Sequence, residues 1–245
     1  MGLGCGLIPA ALREEETNEI PAAPIIYGRE RETENMIQVL LNNNTYHRLS
    51  ICPILGIAGL GKTTLAQLVY GDERIVNHFD ARIWVSVVED FGIQKITQVM
   101  IDKLSGGQLD LMQNNLKLLL NGKRFLVVLD DVWNDDREKW NELTQLFACG
   151  SKGSSVIVTT RLQTVVDNIS SLSTLCVINP TFGVQPLHDD DAWSLFMQYA
   201  VGDENEVNEH ILEIGKEIVA KCKGVPLTIK EIGKFLHNLP RGWCN

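Results

Sequence analysis

Glycines, a lysine and two threonines stand together in one short segment. Residues 56–64 read GIAGLGKTT, which places Lys62 and Thr63 directly after Gly61. Glycines let the backbone curl so that successive N–H groups face an anion, while the lysine reaches the phosphates and the threonine hydroxyl binds Mg²⁺. The pattern predicts a loop that binds nucleotide phosphates. The predicted contacts are Gly56, Gly59, Leu60, Gly61, Lys62, Thr63 and Thr64.

Two consecutive aspartates follow an apolar run later in the chain. Asp130 and Asp131 come directly after LVVL at 126–129. A carboxylate at the end of a second buried strand holds the Mg²⁺ of such a site, directly or through water. A neighbouring carboxylate orients or deprotonates an attacking water. We therefore predict that Thr63 and Asp130 bind the metal and that Asp131 is catalytic, although a turn or helix cap is the simpler role for an isolated aspartate pair.

A cation ends another apolar run. Arg161 follows VIVTT at 156–160. An arginine at the carboxyl edge of a parallel sheet points toward the crevice where ligands bind. We expect Arg161 to contact a γ-phosphate and so to distinguish ATP from ADP, whereas without the two preceding motifs it would be read as a surface charge.

These residues need a scaffold, and apolar runs that alternate with helical patterns supply one. The near-continuous apolar runs suit parallel strands covered on both faces, so we predict an α/β fold, a doubly wound parallel sheet of the P-loop NTPase class. A strand at 82–87 separates the phosphate loop from the aspartate strand, which fits ATPase-like rather than kinase-like topology. Strands are predicted at 51–55, 82–87, 124–129, 154–159 and 174–178, and helices at 62–70, 93–104, 110–121, 137–147 and 161–168.

Strand signals cease after about residue 180, and helical patterns follow. Three aspartates at 189–191 are expected to cap the first of three helices. We therefore divide the chain into a flexible lead-in at 1–24, a P-loop nucleotide-binding domain at 25–180 and a small helical unit at 181–245.

Composition restricts the partners and the compartment. The 245 residues carry a formal net charge of −9, so binding to nucleic acid or to an anionic membrane surface is not expected. No apolar run approaches the length of a transmembrane helix, and no secretory signal is recognisable. The six cysteines lack metal-binding spacing and are typical of buried thiols in a reducing compartment. We expect a cytoplasmic protein.

The motifs, taken in order, resemble the NB-ARC nucleotide-binding module of plant disease-resistance proteins of the NB-LRR type. Trp133, directly after DDV at 130–132, is similar to the branch that carries an N-terminal coiled coil. The resemblance runs from about residue 25 to 239. It is carried by the segments 27–30, 56–64, 79–87, 129–133, 153–161 and 224–227.

The resemblance implies roles for further residues. Tyr27, Gly28 and Arg29 would flank the adenine and ribose, and Pro226 would close over the adenine from the helical unit. Arg161 would sense the terminal phosphate. The family works as a switch that rests with ADP, signals with ATP in plant defence and resets by slow hydrolysis. Other NB-LRR proteins or signalling proteins would be its partners.

The sequence also departs from the family pattern. Ala58 stands where the family usually has glycine, and alanine tolerates a positive φ poorly, so nucleotide binding would weaken if that position is left-handed. The helical unit corresponds to the family's ARC1 subdomain. Neither the winged-helix part nor leucine-rich repeats lie within the 245 residues, and we expect a truncated relative.

Three functions remain open from the sequence. The first is an ADP/ATP-binding defence switch, and the second is a working ATPase in which Asp131 activates water. The third is a truncated interaction or decoy protein that pairs with full-length relatives without nucleotide turnover.

Overall fold

The computed structural model describes residues 25–42, 48–87, 92–106, 113–172, 176–201 and 209–238. The predicted lead-in and parts of the predicted segments 110–121 and 174–178 lie outside these residues. In chain order the elements are α1 (Glu30–Asn42), β1 (Leu49–Leu55), α2 (Lys62–Gly71), α3 (Glu73–His78), β2 (Ala81–Ser86), α4 (Ile93–Ser105), α5 (Gln113–Leu120), β3 (Phe125–Val132), α6 (Arg137–Phe147), β4 (Ser154–Thr160), α7 (Gln163–Ser170), β5 (Cys176–Ile178), β6 (Phe182–Gly183), α8 (Asp189–Ala200), α9 (Glu209–Lys221) and α10 (Pro226–His237).

The strands form one parallel sheet in the order β2-β3-β4-β1-β5, and β6 also pairs with β1. Strand β4 therefore lies between β1, which leads into the phosphate loop, and β3, which carries the aspartates. The predicted parallel sheet is confirmed. The strand expected at 82–87 precedes the aspartate strand in the sequence, as predicted, but in the sheet β2 lies at the edge beyond β3 and does not separate β1 from β3. The carboxyl ends of β1, β3 and β4 meet at one edge, where ligands bind in open α/β sheets.

Both faces of the sheet are buried, as the continuous apolar runs indicate. Along β3, Phe125 and Val127 belong to one apolar cluster, and Leu126 and Val128 belong to another. Helices α4 to α7 cover the first face and α1 to α3 cover the second. Each fully buried side chain of this size contributes roughly 1.5–3 kcal/mol, so the two layers stabilise the sheet whose edge carries the predicted residues.

The helical unit packs around its own apolar cluster, which includes Phe196 and Ile229. Its first helix differs from expectation. The three aspartates at 189–191 do not cap α8, because the N-cap is His188 and makes no side-chain capping bond. They occupy the first turn instead, where negative charge is stabilised by the helix dipole.

Two elements and one extension were not expected from the sequence. Helix α3 is a six-residue helix capped by Asp72, whose side chain accepts from the amide of Arg74. Strand β6 falls just after the strand signals fade. Strand β3 continues through both aspartates to Val132, with an irregular register between Leu129 and Val132.

A proline in β1 explains why the outer edge of the sheet is divided. The amide of Asn179 donates to the carbonyl of Ile51 at 2.9 Å, and the amide of Val184 donates to that of Leu55 at 2.9 Å. Alternate residues of a parallel strand face the same neighbour, so Pro53 also faces this edge but has no N–H to donate. The edge therefore breaks opposite Pro53 into β5 and β6.

None of the helices within the described ranges is long and apolar enough to cross a membrane.

Candidate nucleotide-binding site

The predicted phosphate loop connects β1 to α2 and curls through two left-handed glycines. Gly59 has φ of 79° and Gly61 has φ of 92°. Ala58 is not among the positive-φ residues, so the expected penalty for replacing glycine at that position does not arise. The loop ends at the N-terminus of α2. The partial positive charge of a helix N-terminus stabilises an anion that binds there.

Lys62 begins α2 and is buried against the loop that precedes it. Its Nζ donates to the carbonyl of Ile57 at 3.0 Å. Burial lowers the pKa of Lys62, the charge of Arg161 lowers it further, and Asp131 and Asp130 oppose the shift. A buried ammonium with a lowered pKa gains from a nearby anion, so this lysine suits a phosphate group.

One carboxylate oxygen of Asp130 accepts hydrogen bonds from two threonine hydroxyl groups. Thr63 Oγ1 donates to Asp130 Oδ1 at 2.9 Å, and Thr159 Oγ1 donates to the same oxygen at 2.6 Å. Two adjacent ligands of an octahedral Mg²⁺ lie about 3.0 Å apart, given metal–oxygen distances near 2.1 Å. The Thr63 hydroxyl and the Asp130 carboxylate therefore fit neighbouring positions around Mg²⁺, the two positions predicted from the sequence.

No group of three His, Cys, Asp or Glu side chains able to hold a metal occurs in the part of the chain that the structure describes. Mg²⁺ in phosphate sites commonly takes one or two protein oxygens and completes its shell with phosphate oxygens and water. The donor set at Thr63 and Asp130 matches that sparse arrangement.

Asp131 lies in the irregular part of β3. Its φ of 57° is left-handed, which is uncommon for a residue with a side chain. Its amide donates to Thr159 Oγ1 at 2.8 Å in place of a regular ladder bond. Such bulges change the direction of side chains beside functional sites, and here the two carboxylates have different partners, with Asp130 bonded to Thr63 and Asp131 paired with Arg161.

Arg161 follows β4 directly and lies next to the phosphate loop. The amide of Gly56 donates to the carbonyl of Thr160 at 3.3 Å, which ties the first loop residue to the residue before Arg161. The guanidinium forms an ion pair with Asp131, with Nε 3.3 Å from Oδ1. It also lies over the ring of Trp133, with Cζ 4.9 Å from the ring centroid.

A cleft of about 440 Å³ separates the phosphate loop from the helical unit, a size typical of small-molecule sites. Helix α10 approaches the loop closely, since the amide of Leu227 donates to the carbonyl of Gly59 at 3.2 Å. Of the predicted site residues, the lining includes Tyr27, Arg29, Gly59, Leu60, Gly61, Lys62, Thr63, Thr64 and Pro226. Gly28 and Gly56 lie in adjacent backbone, and Asp130, Asp131 and Arg161 lie at the sheet edge.

Arg29 is almost entirely buried, and its guanidinium is engaged by protein carbonyls. It donates to Leu60 at 2.9 Å, to Gln185 at 2.8 Å and to Gly28 at 3.1 Å, and it pairs with Glu32 at 3.2 Å. Arg29 thus joins the N-terminal segment, the phosphate loop and the connection to the helical unit. It borders the cleft, and its side chain holds protein segments together.

Sequence reasoning missed several residues of the site. Thr159, which organises both aspartates, was visible only as a polar residue at the end of an apolar run. The missed cleft residues on α8 and α10 could not be predicted from the sequence around them. A helical pattern indicates which residues share a face, but it does not indicate which cleft that face lines. The missed lining residues are Ile25, Ile26, Gln67, Leu187, Leu195, Tyr199, Leu227 and Lys230.

Comparison with known proteins identifies the family. Residues 29–206 match the NB-ARC domain. The chain belongs to the NB-ARC family. This NB-ARC chain is 42% identical over 228 residues to disease resistance protein RGA2 of Solanum bulbocastanum, covering 90% of the chain and 23% of that relative. It is 35% identical over 221 residues to a putative disease resistance RPP13-like protein 1 of Arabidopsis thaliana, covering 86% of the chain and 20% of that relative.

Solved structures resemble the NB-ARC chain in fold. Drosophila ORC bound to DNA gives a TM-score of 0.61 at 14% identity, covering 96% of this chain and 64% of that one. The ADP form of Aeropyrum pernix ORC2 gives 0.58 at 16% identity, covering 89% and 64%. Likeness at such identities concerns the fold alone. The chain is therefore an NB-ARC domain of the plant disease-resistance type, a nucleotide-binding module on a P-loop NTPase fold.

Proposed function

We propose that this chain binds ADP or ATP with Mg²⁺ and acts as the switch of a plant disease-resistance protein, hydrolysing ATP slowly. The observation that carries the proposal is the bond from the Leu227 amide to the Gly59 carbonyl. It sets the helical unit directly against the phosphate loop. A nucleotide held in the cleft then contacts both units, so a change at its phosphates alters how they meet.

Each predicted residue has a defined task in this proposal. The loop amides and Lys62 bind the phosphates, and Tyr27 and Pro226 line the part of the cleft assigned to the base and ribose. Thr63 and Asp130 hold Mg²⁺, which neutralises phosphate charge when bound. In hydrolysis, Asp131 accepts a proton from a water whose oxygen attacks the γ-phosphorus, and the bond to ADP breaks.

The wider role is proposed on the same basis. The chain spans about a fifth to a quarter of the length of the curated relatives it matches. Participation in defence signalling, location in the cytoplasm and pairing with other NB-LRR proteins are therefore part of the proposal. Binding to nucleic acid is not part of it, because the formal net charge of −9 opposes association with phosphate backbones.

The test is to purify the chain without added nucleotide, denature it and identify the released nucleotide by chromatography. We expect near-stoichiometric ADP from the wild type and little from Lys62→Ala. Lys95→Ala, at an exposed position on α4 away from the cleft, is the matched control and should retain ADP.

A protein that emerges empty and also fails to take up ATP would contradict the proposal. An interaction or decoy role without nucleotide would then be the better explanation, and binding to full-length relatives should be unaffected by Lys62→Ala. Release of ADP with rapid multiple turnover would favour a working ATPase over a switch.

A further inference from the structure

The guanidinium of Arg161 has two partners, and both lie on β3 or directly after it. Asp131 engages it side-on, with Nε to Oδ1 at 3.3 Å and Nη2 to Oδ2 at 3.4 Å. The two side chains remain 37% and 43% exposed. The pair is therefore reachable by solvent and by a ligand at the sheet edge.

Trp133 is the second partner, and it is unusually exposed for a side chain of its size. The side chain is 49% exposed, although tryptophan is normally far more buried. The guanidinium carbon of Arg161 lies 4.9 Å from the ring centroid, within the range of a cation–π contact. The indole thus covers one face of the guanidinium while Asp131 occupies its edge.

The bulge in β3 fixes the geometry of this contact. Asp131 is left-handed and its amide is held by the Thr159 hydroxyl at 2.8 Å. A non-glycine residue remains in that conformation only when surrounding contacts impose it. The same Thr159 hydroxyl donates to Asp130, so the metal carboxylate and the carboxylate that pairs with Arg161 are positioned by one side chain.

Arg161 is also close to the place assigned to the phosphates. The preceding carbonyl, that of Thr160, accepts from the first residue of the phosphate loop, and the charge of Arg161 acts on Lys62. Asp131 takes the Nε and Nη2 side of the guanidinium, so a terminal phosphate bound near Lys62 would be a second anion for the same cation.

We propose that Trp133 and Asp131 hold Arg161 in a latched position, and that the terminal phosphate of ATP competes with Asp131 for its guanidinium. Trp133 acts here as a positioning residue. The inference rests on the proposed nucleotide function and adds its regulation. ADP, which has no terminal phosphate, leaves the latch closed. ATP opens it and frees the carboxylate of Asp131 to accept a proton from water.

The latch is weak enough for a phosphate to open. An exposed ion pair and an exposed cation–π contact each change an equilibrium by roughly two- to fivefold. A phosphate offers more charge and a bidentate acceptor to the same guanidinium. The latch therefore lowers the affinity for ATP relative to ADP without blocking it.

The test measures the dissociation constants of Mg-ADP and of a non-hydrolysable Mg-ATP analogue by calorimetry. Trp133→Leu removes the stacked ring, Trp133→Phe keeps a smaller one and Asp131→Asn removes the ion pair. Relative to ADP, analogue binding should tighten roughly two- to fivefold in Trp133→Leu and in Asp131→Asn, and less in Trp133→Phe. Thermal unfolding of each variant verifies that the half-exposed Trp133 position tolerates the change.

The same measurements in an Arg161→Ala background separate the latch from simple charge removal. There, neither Trp133→Leu nor Asp131→Asn should change the ratio of the two dissociation constants. Tightening by Asp131→Asn that persists without Arg161 would show plain electrostatic repulsion and overturn the latch. An unchanged ratio in Trp133→Leu, or weaker analogue binding, would overturn it as well.

A second measurement follows Arg161 directly. The Nε–H resonance of Arg161, assigned through its loss in Arg161→Ala, should shift with the analogue and stay in place with ADP. Equal shifts with both nucleotides contradict the latch while leaving the nucleotide function intact. A wild-type chain that binds neither nucleotide overturns the proposed function together with the latch.

Discussion

The backbone amide of Leu227 lies 3.2 Å from the carbonyl oxygen of Gly59 and donates to it. This bond joins the start of α10 to the middle of the phosphate loop. A β-carbon added to Gly59 would come within 2.9 Å of the β-carbon of Leu227. The loop and the helical unit therefore share a boundary that tolerates no side chain at Gly59.

Gly59→Ala is expected to weaken both folding and ADP binding. The left-handed φ alone disfavours alanine by roughly 1–2 kcal/mol, and the contact with Leu227 forces α10 away from the loop. Gly122→Ala is the matched control, since its φ is 72° and nothing lies within 4 Å of the added carbon. Urea unfolding should show a lower free energy of unfolding in both variants, because both place alanine at a left-handed φ. ADP calorimetry should show weaker binding only in Gly59→Ala. Equal ADP affinities would mean that α10 does not help to close the site.

Thr159→Val should reduce the dependence of nucleotide affinity on Mg²⁺. The variant removes a donor to Asp130 and leaves the amide of Asp131 without its acceptor, which costs about 1–3 kcal/mol of stability. Loss of a residue that orients a metal ligand lowers metal affinity by roughly 10- to 100-fold. Affinities measured with and without Mg²⁺ test this expectation.

Thr160→Val is the control for that experiment. Thr160 is also buried, and its hydroxyl donates to the carbonyl of Val132 at 2.7 Å. This variant should lose stability as well but keep the normal response to Mg²⁺. The role given to Thr159 would be wrong if both variants responded to Mg²⁺ alike.

Arg29→Ala should destabilise the chain by loosening three segments at once. The carbonyls of Leu60 and Gln185 each lose a buried donor, at roughly 1–3 kcal/mol apiece. Arg29→Lys should restore little, because an ammonium lacks the planar fork that reaches several acceptors. Chemical denaturation measures the change. Glu32→Gln, which removes the partly exposed ion pair, should shift stability by less than about 1 kcal/mol, and a loss as large as that of Arg29→Ala would contradict this account.

A surface network predicts a pH dependence of stability. Hydrogen bonds from Arg74 lower the pKa of Glu34 and the pKa of Asp72 below their ordinary values of 4.5 and 3.8. Their stabilisation is therefore present above those ordinary values and is lost as pH falls through the lowered pKa values. Arg74→Gln should flatten the acid limb of the stability profile at low salt.

Two controls accompany the pH experiment. High salt should shrink the difference between Arg74→Gln and wild type, because Arg74 and Glu34 are about half exposed to solvent and Asp72 is partly exposed. Arg31→Gln, at an exposed position of α1, should leave the acid limb unchanged. Urea unfolding across pH 2–7 measures each profile, and a flattened limb in Arg31→Gln would assign the effect to net charge.

The sequence predicted the main elements well because their signals are local. Helix α6 was expected at 137–147 and occupies Arg137–Phe147. Strands β1 to β5 coincide with or overlap the five predicted strands, of which the one at 174–178 lies partly outside the described residues. Non-local features were missed. The bulge at Asp131 depends on the Thr159 hydroxyl from another strand, and strand β6 exists through its pairing with β1.

The site shows the same division. Glycine, lysine and threonine at motif spacing indicated the phosphate loop, since their roles depend on neighbours in the chain. The carbonyls that surround Arg29 come from Leu60 and Gln185, which no spacing could reveal.

The break opposite Pro53 has a consequence for self-association. Open sheet edges are templates on which strands of other chains aggregate. Here one edge consists of β5 and β6, which have three and two residues. On the opposite edge, Lys103 Nζ donates a hydrogen bond to the carbonyl of Trp84 at 2.6 Å. A strand from another chain would therefore find few free backbone groups in a row at either edge of the sheet. Pro53, by interrupting one edge, protects it against intermolecular β-pairing.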